Sequence, residues 1–169
     1  MLSLDDVPAL TDLLLANRDF LAPWVPIRPE AFFTVEGQQR VALDALERHQ
    51  QGSMVPHVIL DEAGRLAGRI TINDIVRGPF LSCQVGYWVS AAHNGRGLAS
   101  AALANIKRVA FDELGLHRIQ AGTLVHNERS QRVLLRNGFV RIGMAPNYLN
   151  IAGRWQDHLL FQVLNDAPS

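Results

Sequence analysis

The segment Gly86-Tyr-Trp-Val-Ser-Ala-Ala-His-Asn-Gly-Arg-Gly-Leu-Ala-Ser100 passes from an apolar, aromatic run through a glycine-rich turn into an amphipathic pattern. The strand half runs from Cys83 to Val89, where Val85, Tyr87, Trp88 and Val89 favour a pleated backbone. Gly95 and Gly97 admit backbone angles that other residues avoid and let a ligand come close to the main chain. Beyond them, Leu98, Ala102, Leu103, Ile106, Val109, Ala110 and Leu114 recur at helical spacing, while Arg96, Asn105, Lys107, Arg108 and Asp112 lie mostly off that stripe. Strand, glycine turn and helix in this order favour an anion, because the free amides of the first helical turn and the helix dipole act together. Taken alone, the same residues fit a structural strand-to-helix turn equally well.

Two familiar phosphate motifs do not fit. A Walker loop requires Lys-Ser or Lys-Thr after its last glycine, and Leu98-Ala99 stands there. In Gly95-Arg-Gly97-Leu-Ala-Ser100, Ser100 replaces the third glycine of a dinucleotide fingerprint, and Asp112 and Glu113 fall at the helix end rather than after a second strand. A second block, His126-Asn-Glu-Arg-Ser-Gln-Arg-Val-Leu-Leu-Arg-Asn-Gly-Phe139, follows a strand predicted over His117 to Val125. Asn127 is placed as the N-cap of a short helix with Val133, Leu134 and Leu135 on its buried side and Gly138 at its end.

In these blocks the chain resembles the GNAT superfamily of acetyl-CoA-dependent N-acetyltransferases. The superfamily's pyrophosphate loop, Gln/Arg-x-x-Gly-x-Gly/Ala, is matched by Asn94-Gly-Arg-Gly97-Leu-Ala99 except at its first position. A second motif, Asn-x-x-Ser followed by a helix and Gly-Phe, is matched by Asn127, Ser130, Gly138 and Phe139. Asn17-Arg-Asp-Phe-Leu-Ala-Pro-Trp-Val-Pro26, Val85-Gly-Tyr-Trp-Val89 and Tyr148-Leu-Asn-Ile-Ala-Gly-Arg-Trp-Gln-Asp-His158 look like the RimJ/RimL branch, which acetylates the N-terminal amine of ribosomal proteins. The likeness covers almost the whole chain, with its motifs in the right order.

The resemblance implies an α/β fold of the GNAT type. This is a mixed, mostly antiparallel sheet with flanking helices, in which two splayed central parallel strands leave a notch for pantetheine, all in one domain over residues 1–169. Periodicity along the chain agrees with such a mixture. Helices are predicted near Asp6–Arg18 and Val35–Gln51, and strands near Val55–Asp61, Arg65–Val76, Val140 and Trp155–Leu164. The family usually begins with a strand, yet only four residues precede Asp5, so that strand is short, missing or upstream.

For the cosubstrate, the resemblance implies a site built from Trp88, Val89, Asn94, Gly95, Arg96, Gly97, Leu98, Ala99, Ser100, Asn127, Ser130 and Arg136. Amides of the 94–100 turn would hold the pyrophosphate, Val89 would pair with pantetheine and polarise the thioester, and Asn127 would bond the pantetheine arm. Arg136, with Arg129 and Arg132, would meet the adenosine 3′-phosphate, although this cluster also reads as a solvated helix face. Ser130, Tyr148 and Asp157 are the catalytic candidates. Ser130 would place a proton or a water near the sulfur, or simply cap a helix. Trp24, Gln84, Tyr87, Tyr148 and His158 are the candidates for the acceptor side. Two departures matter: Leu134 stands where many relatives carry a tyrosine acid, and Gln84 where relatives often carry Glu.

Composition bounds the rest. A chain of 169 residues, 48% hydrophobic, suits one core, and zero formal net charge gives nucleic acid no global attraction. A lone Cys83 excludes an internal disulfide, Met1-Leu-Ser-Leu-Asp-Asp6 lacks signal-peptide character, and no apolar run reaches membrane-spanning length, so a cytoplasmic protein is expected. Six scattered histidines show no ligand spacing, so no metal is expected. The expected partners are acetyl-CoA and a protein N-terminus, ribosomal among them, or a small amine or antibiotic, with a homodimer left open. Freeing an α-amine of pKa 7.7–8.0 at pH 7.4 costs roughly 0.5 kcal/mol, against about 4 kcal/mol for lysine. A site without an obvious carboxylate base suits the α-amine. A member that binds acyl-CoA or a peptide without turnover is the remaining alternative.

Overall fold

The computed structural model describes residues 1–165. Helix α1 (Val7–Ala16) begins with Pro8 in its first turn, where a missing amide costs nothing, and the one-turn α2 (Arg18–Leu21) follows at a corner. Helix α3 (Val35–Gln50) is capped by Thr34, whose hydroxyl oxygen accepts the Gly37 amide at 3.0 Å. Then come β1 (Val55–Leu60), β2 (Leu66–Val76) and β3 (Ser82–Val89). Helix α4 (Leu98–Arg108) ends in a wider π turn over Val109–Glu113. Strand β4 (Arg118–Leu124), helix α5 (Glu128–Arg136) and the strands β5 (Val140–Ile151) and β6 (Arg154–Leu164) complete the chain. No helix among the described residues is long and apolar enough to cross a membrane.

The six strands form one sheet in the order β1-β2-β3-β4-β6-β5, antiparallel throughout except for β3 and β4. That parallel pair is joined only at Ser82–Arg118, Cys83–Ile119 and Gln84–Gln120. Beyond Gln84 and Gln120 each strand stays with its outer partner, β3 with β2 up to Val89 and β4 with β6 up to Leu124. The expected splay is therefore present, and the facing backbone edges beyond it have no strand partner. Two apolar layers clamp the sheet. On one side Ile70, Ile72, Val85 and Ile119 pack with Leu103 and Ile106 of α4 and Leu134 of α5. On the other, Leu10 and Leu14 of α1 meet Ala42 and Ala45 of α3 over Met54, with Trp88 against them.

Two local expectations are corrected. Leu135 is 56% exposed, because the short α5 buries only the stripe through Leu134. As one of the readings above allowed, no strand precedes β1 among the described residues, and the Leu2 amide donates to the Pro56 carbonyl at 2.9 Å. The last two strands form a hairpin closed by Ala152 (φ 51°) and Gly153 (φ 81°), so β5 runs far beyond Val140. A register shift in β5 around Asn147 is held by the Asp157 carboxylate, which accepts the Asn147 amide at 2.9 Å.

A buried polar chain fixes the approach to the glycine turn. Asp61, between β1 and β2, accepts the amides of Ala63 and Arg65 and the Arg65 Nε, each at 2.9 Å. His93 Nε2 lies 3.3 Å from the same carboxylate, and Nδ1 lies 2.6 Å from Ser90 Oγ. Ser90 is 1% exposed, so this Ser-His-Asp chain has the composition of a nucleophilic triad but no reach to a substrate. Its effect is to tie residues 90–93 to the β1–β2 turn.

The Arg65 amide foremost, then the Arg65 guanidinium, His93 and the Ala63 amide, hold the Asp61 carboxyl well below its usual range against the opposing effect of burial. Such a depressed value stabilises the fold at any pH above the unfolded carboxylate value of about 3.9, and the contribution is lost as pH falls through the folded value. Asp61→Asn should therefore lower Tm fully at pH 7, with the gap to wild type narrowing only below about pH 4. At Gly68, a Cβ would stand 2.2 Å from the Trp88 carbonyl oxygen and 2.9 Å from Val89 Cα, so β2 and β3 must move apart. In urea titrations Gly68→Ala should cost about 2–3 kcal/mol. Gly64→Ala, at φ 75° with open space around it, should cost about 1 kcal/mol.

Candidate active site

Gly97 caps α4 in the left-handed region (φ 78°, ψ 0°), and Gly95 has the same φ. A Cβ at either would meet no heavy atom within 4 Å, so the turn presents its main chain to open space. No side chain caps α4, and the amides of its first turn are free for a ligand.

From this turn a cleft of about 690 Å³ runs along the parted end of β3 toward α5. A smaller cavity of about 160 Å³ fills the gap between Val85–Trp88 and Ala121–Leu124. Leu21, Trp24, Tyr87, Trp88, Asn127 and Ser130 belong to both walls, so the two spaces meet. Asn127 caps α5 as expected: its Oδ1 accepts the Ser130 amide at 3.2 Å. The Tyr87 hydroxyl lies 2.9 Å from Ser130 Oγ and donates to the Ser130 carbonyl at 3.3 Å. Burial pushes the Tyr87 phenol up to about 12, although the Ser130 contact opposes it, so Tyr87 holds its proton at neutral pH. Trp24 packs on His126 with ring centres 5.4 Å apart, and Tyr148 on His158 at 5.5 Å.

The predicted site residues fall into groups. Trp24, Tyr87, Trp88, Val89, Asn94, Ala99, Asn127 and Ser130 line the large cleft, and His158 lines the smaller cavity. Gly95, Arg96, Gly97, Leu98 and Ser100 form the adjoining turn and helix start, where Ser100 Oγ accepts the Asn137 amide group at 3.0 Å. Tyr148 reaches the gap edge at Gly122. Gln84 sits exposed at the last pair joining β3 to β4. Arg136 and Asp157 also stand outside both walls: Arg136 is exposed at the end of α5, and Asp157 is exposed with its carboxylate on the Asn147 amide. Cys83 is buried in the core, which pushes its thiol up to about 12 and leaves it without a nucleophile's character.

Arg129 and Arg132, expected with Arg136 as a basic cluster, line the cleft. Several other participants were not foreseen, among them the acids Asp19 and Glu128 in the same wall. Asn17, 6% exposed, accepts the Ala91 amide on Oδ1 at 2.7 Å and donates from Nδ2 to the Leu13 carbonyl at 2.8 Å. It ties the α1–α2 corner, which carries Trp24 onward, to the end of β3. Its place at the head of the Asn17–Pro26 block signalled the residue but not its partner. Thr123, in the wall of the smaller cavity, has a buried hydroxyl without a hydrogen-bond partner among the described residues.

Comparison with known proteins agrees with this geometry. The family model "Acetyltransferase (GNAT) domain" matches residues 1–140. The chain is 36% identical over 156 residues to the Escherichia coli [ribosomal protein uS5]-alanine N-acetyltransferase, covering 92% of this chain and 80% of that protein. A crystal structure of ribosomal-protein-S5-alanine acetyltransferase from Vibrio fischeri superposes with a TM-score of 0.93 at 34% identity, covering 98% of this chain and 91% of that one. Mycobacterium smegmatis RimJ, solved with CoA-disulfide, gives a TM-score of 0.92 at 31% identity over 96% of this chain and 79% of that one. With a match of this extent on top of the parted parallel strands and the open glycine turn, the chain belongs to the GNAT acetyltransferase family.

Proposed function

We propose that this chain, acting through one domain, transfers the acetyl group of acetyl-CoA to the N-terminal α-amine of a protein, a ribosomal protein beginning with alanine foremost. The observation that carries the proposal is the end of β3–β4 pairing after Gln84–Gln120, which opens a cleft reaching the Gly95–Gly97 turn. A linear ligand with an anionic end and an amide-bearing arm matches that shape. The free amides near Gly97 suit the pyrophosphate, and the unpaired edge of Val89 suits a pantetheine amide. Asn127 Nδ2 has no partner among the described residues and can donate to the arm. Arg129 and Arg132, rather than Arg136, are the cleft cations for a terminal phosphate.

Acyl transfer then needs a donor for the oxyanion and a proton for the thiolate. The Val89 amide serves the first and the Ser130 hydroxyl, fixed by Tyr87, the second. Trp24 and His126 wall the side from which a peptide enters. The names of the Escherichia coli and Vibrio fischeri relatives assign those proteins an alanine acceptor, which supports the same class here. A ribosomal acceptor puts the reaction in the cytoplasm.

Two measurements test the assignment. Asp is among the residues that tolerate positive φ, and no atom blocks a side chain at Gly97, so Gly97→Asp should stay folded. Its carboxylate faces the proposed pyrophosphate site, and calorimetry should show acetyl-CoA binding weakened at least tenfold; unchanged affinity would remove the phosphate site. Mass spectrometry of mixed peptides should show acetylation of a free Ala or Ser terminus ahead of a blocked peptide carrying lysine. Preferential lysine or small-amine acetylation would overturn the acceptor.

A further inference from the structure

We propose that His158 is the general base of the transfer, taking a proton on Nε2 from the acceptor's α-ammonium; the inference rests on the function proposed above. His158 pairs in the sheet with Leu124 of β4 and Ala145 of β5, and it is only 3% exposed. It forms part of the wall of the smaller cavity, together with Tyr87, Asn127 and Ser130. Nδ1 lies 3.0 Å from the Gln156 carbonyl oxygen. A carbonyl can only accept, so Nδ1 carries the hydrogen and the neutral ring keeps its lone pair on Nε2. Nε2 has no hydrogen-bond partner among the described residues.

The surroundings leave that lone pair as the base in this cavity. Tyr148 of β5 packs against the ring at 5.5 Å. Gly122 of β4 faces it without a side chain: a Cβ there would stand 3.7 Å from His158 Cδ2 and 3.7 Å from Tyr148 Cε1. From β3, Tyr87 is the titratable neighbour, and its protonated phenol is no base. The end of α5 contributes Asn127 and Ser130, both uncharged. On β6 itself the Asp157 carboxylate is turned to the Asn147 amide. Among the described residues the cavity wall contains no carboxylate.

The α-ammonium gives a proton to Nε2, producing the free amine and an imidazolium. The amine nitrogen attacks the thioester carbon, forming C–N while the carbonyl pair moves to oxygen. As that pair returns, C–S breaks, and the proton on the new nitrogen passes by way of the Ser130 hydroxyl to the thiolate. The products are the acetamide and CoA thiol, and the imidazolium later releases its proton to water. An α-ammonium ionises near 7.7–8.0 and lysine near 10.4, so the α-ammonium gives up its proton roughly 300-fold more readily to any one base.

The test is His158→Gln in steady-state kinetics at pH 7 and pH 9.5, with a peptide bearing a free alanine terminus. At pH 7, kcat should fall roughly fivefold to tenfold, the factor by which ammonium outnumbers free amine there, with KM for acetyl-CoA within twofold of wild type. At pH 9.5, where the amine arrives already deprotonated, the deficit should shrink to twofold or less. A variant within twofold of wild type at pH 7, or equally impaired at both pH values, would overturn the assignment; the second result is what a structural histidine gives. Should the variant fail to fold, ¹⁵N-histidine NMR of the wild-type protein decides. A neutral ring protonated on Nδ1 is expected, and one protonated on Nε2 removes the base. Wild-type protein that leaves the α-amine untouched would instead remove the underlying function, before any variant is made.

Discussion

Everything about this site depends on where β3 and β4 stop pairing. Parallel strands gain their stability from an uninterrupted ladder, and an unpaired buried amide or carbonyl is costly. Here the ladder ends after Gln84–Gln120, although both strands continue. The arrangement holds because each strand is anchored on its outer side, β3 to β2 and β4 to β6, and because the gap opens onto clefts rather than sealed core. The sheet therefore offers a ligand a strand edge at its centre, where folds of this size normally offer one only at the rim.

The second requirement is that the turn beside this edge keep its shape without a ligand. Its flexible element is glycine, but its approach is rigid. Ser90, His93 and Asp61 tie the start of the loop to the β1–β2 turn, and Asn17 fastens Ala91 to the α1–α2 corner. These contacts hold the glycine turn, the end of β3 and the corner with Trp24 in one frame. Such preorganisation lowers the ordering cost of binding.

Much of this was legible in the sequence, for definite reasons. Helix α3 and strands β1 to β4 lie within a residue or two of their predicted limits, because their apolar periodicity is clean and their ends carry turn or cap residues. The glycine turn was legible because only glycine adopts φ near 78° readily, and the α5 cap because asparagine has few other uses before a helix. The β5–β6 turn was not, since Ala152 at φ 51° is an unusual choice there. Nor were the contacts that complete the site. Tyr87 and Ser130 are 43 residues apart, Asp61 and His93 are 32, and Asn17 and Ala91 are 74. No local pattern encodes such pairs. The same limit hid which of the candidates line the cavities: His158, Arg129 and Arg132 do, whereas Asp157 and Arg136 do not.

The most direct measurement of the central claim is a crystal structure of the protein with CoA. The account predicts diphosphate oxygens within about 3.2 Å of main-chain amides between Gly95 and Ser100. It also predicts a pantetheine amide paired with the backbone of Val89, inside the gap between β3 and β4. A diphosphate bound elsewhere, or a CoA that leaves that gap untouched, would contradict it.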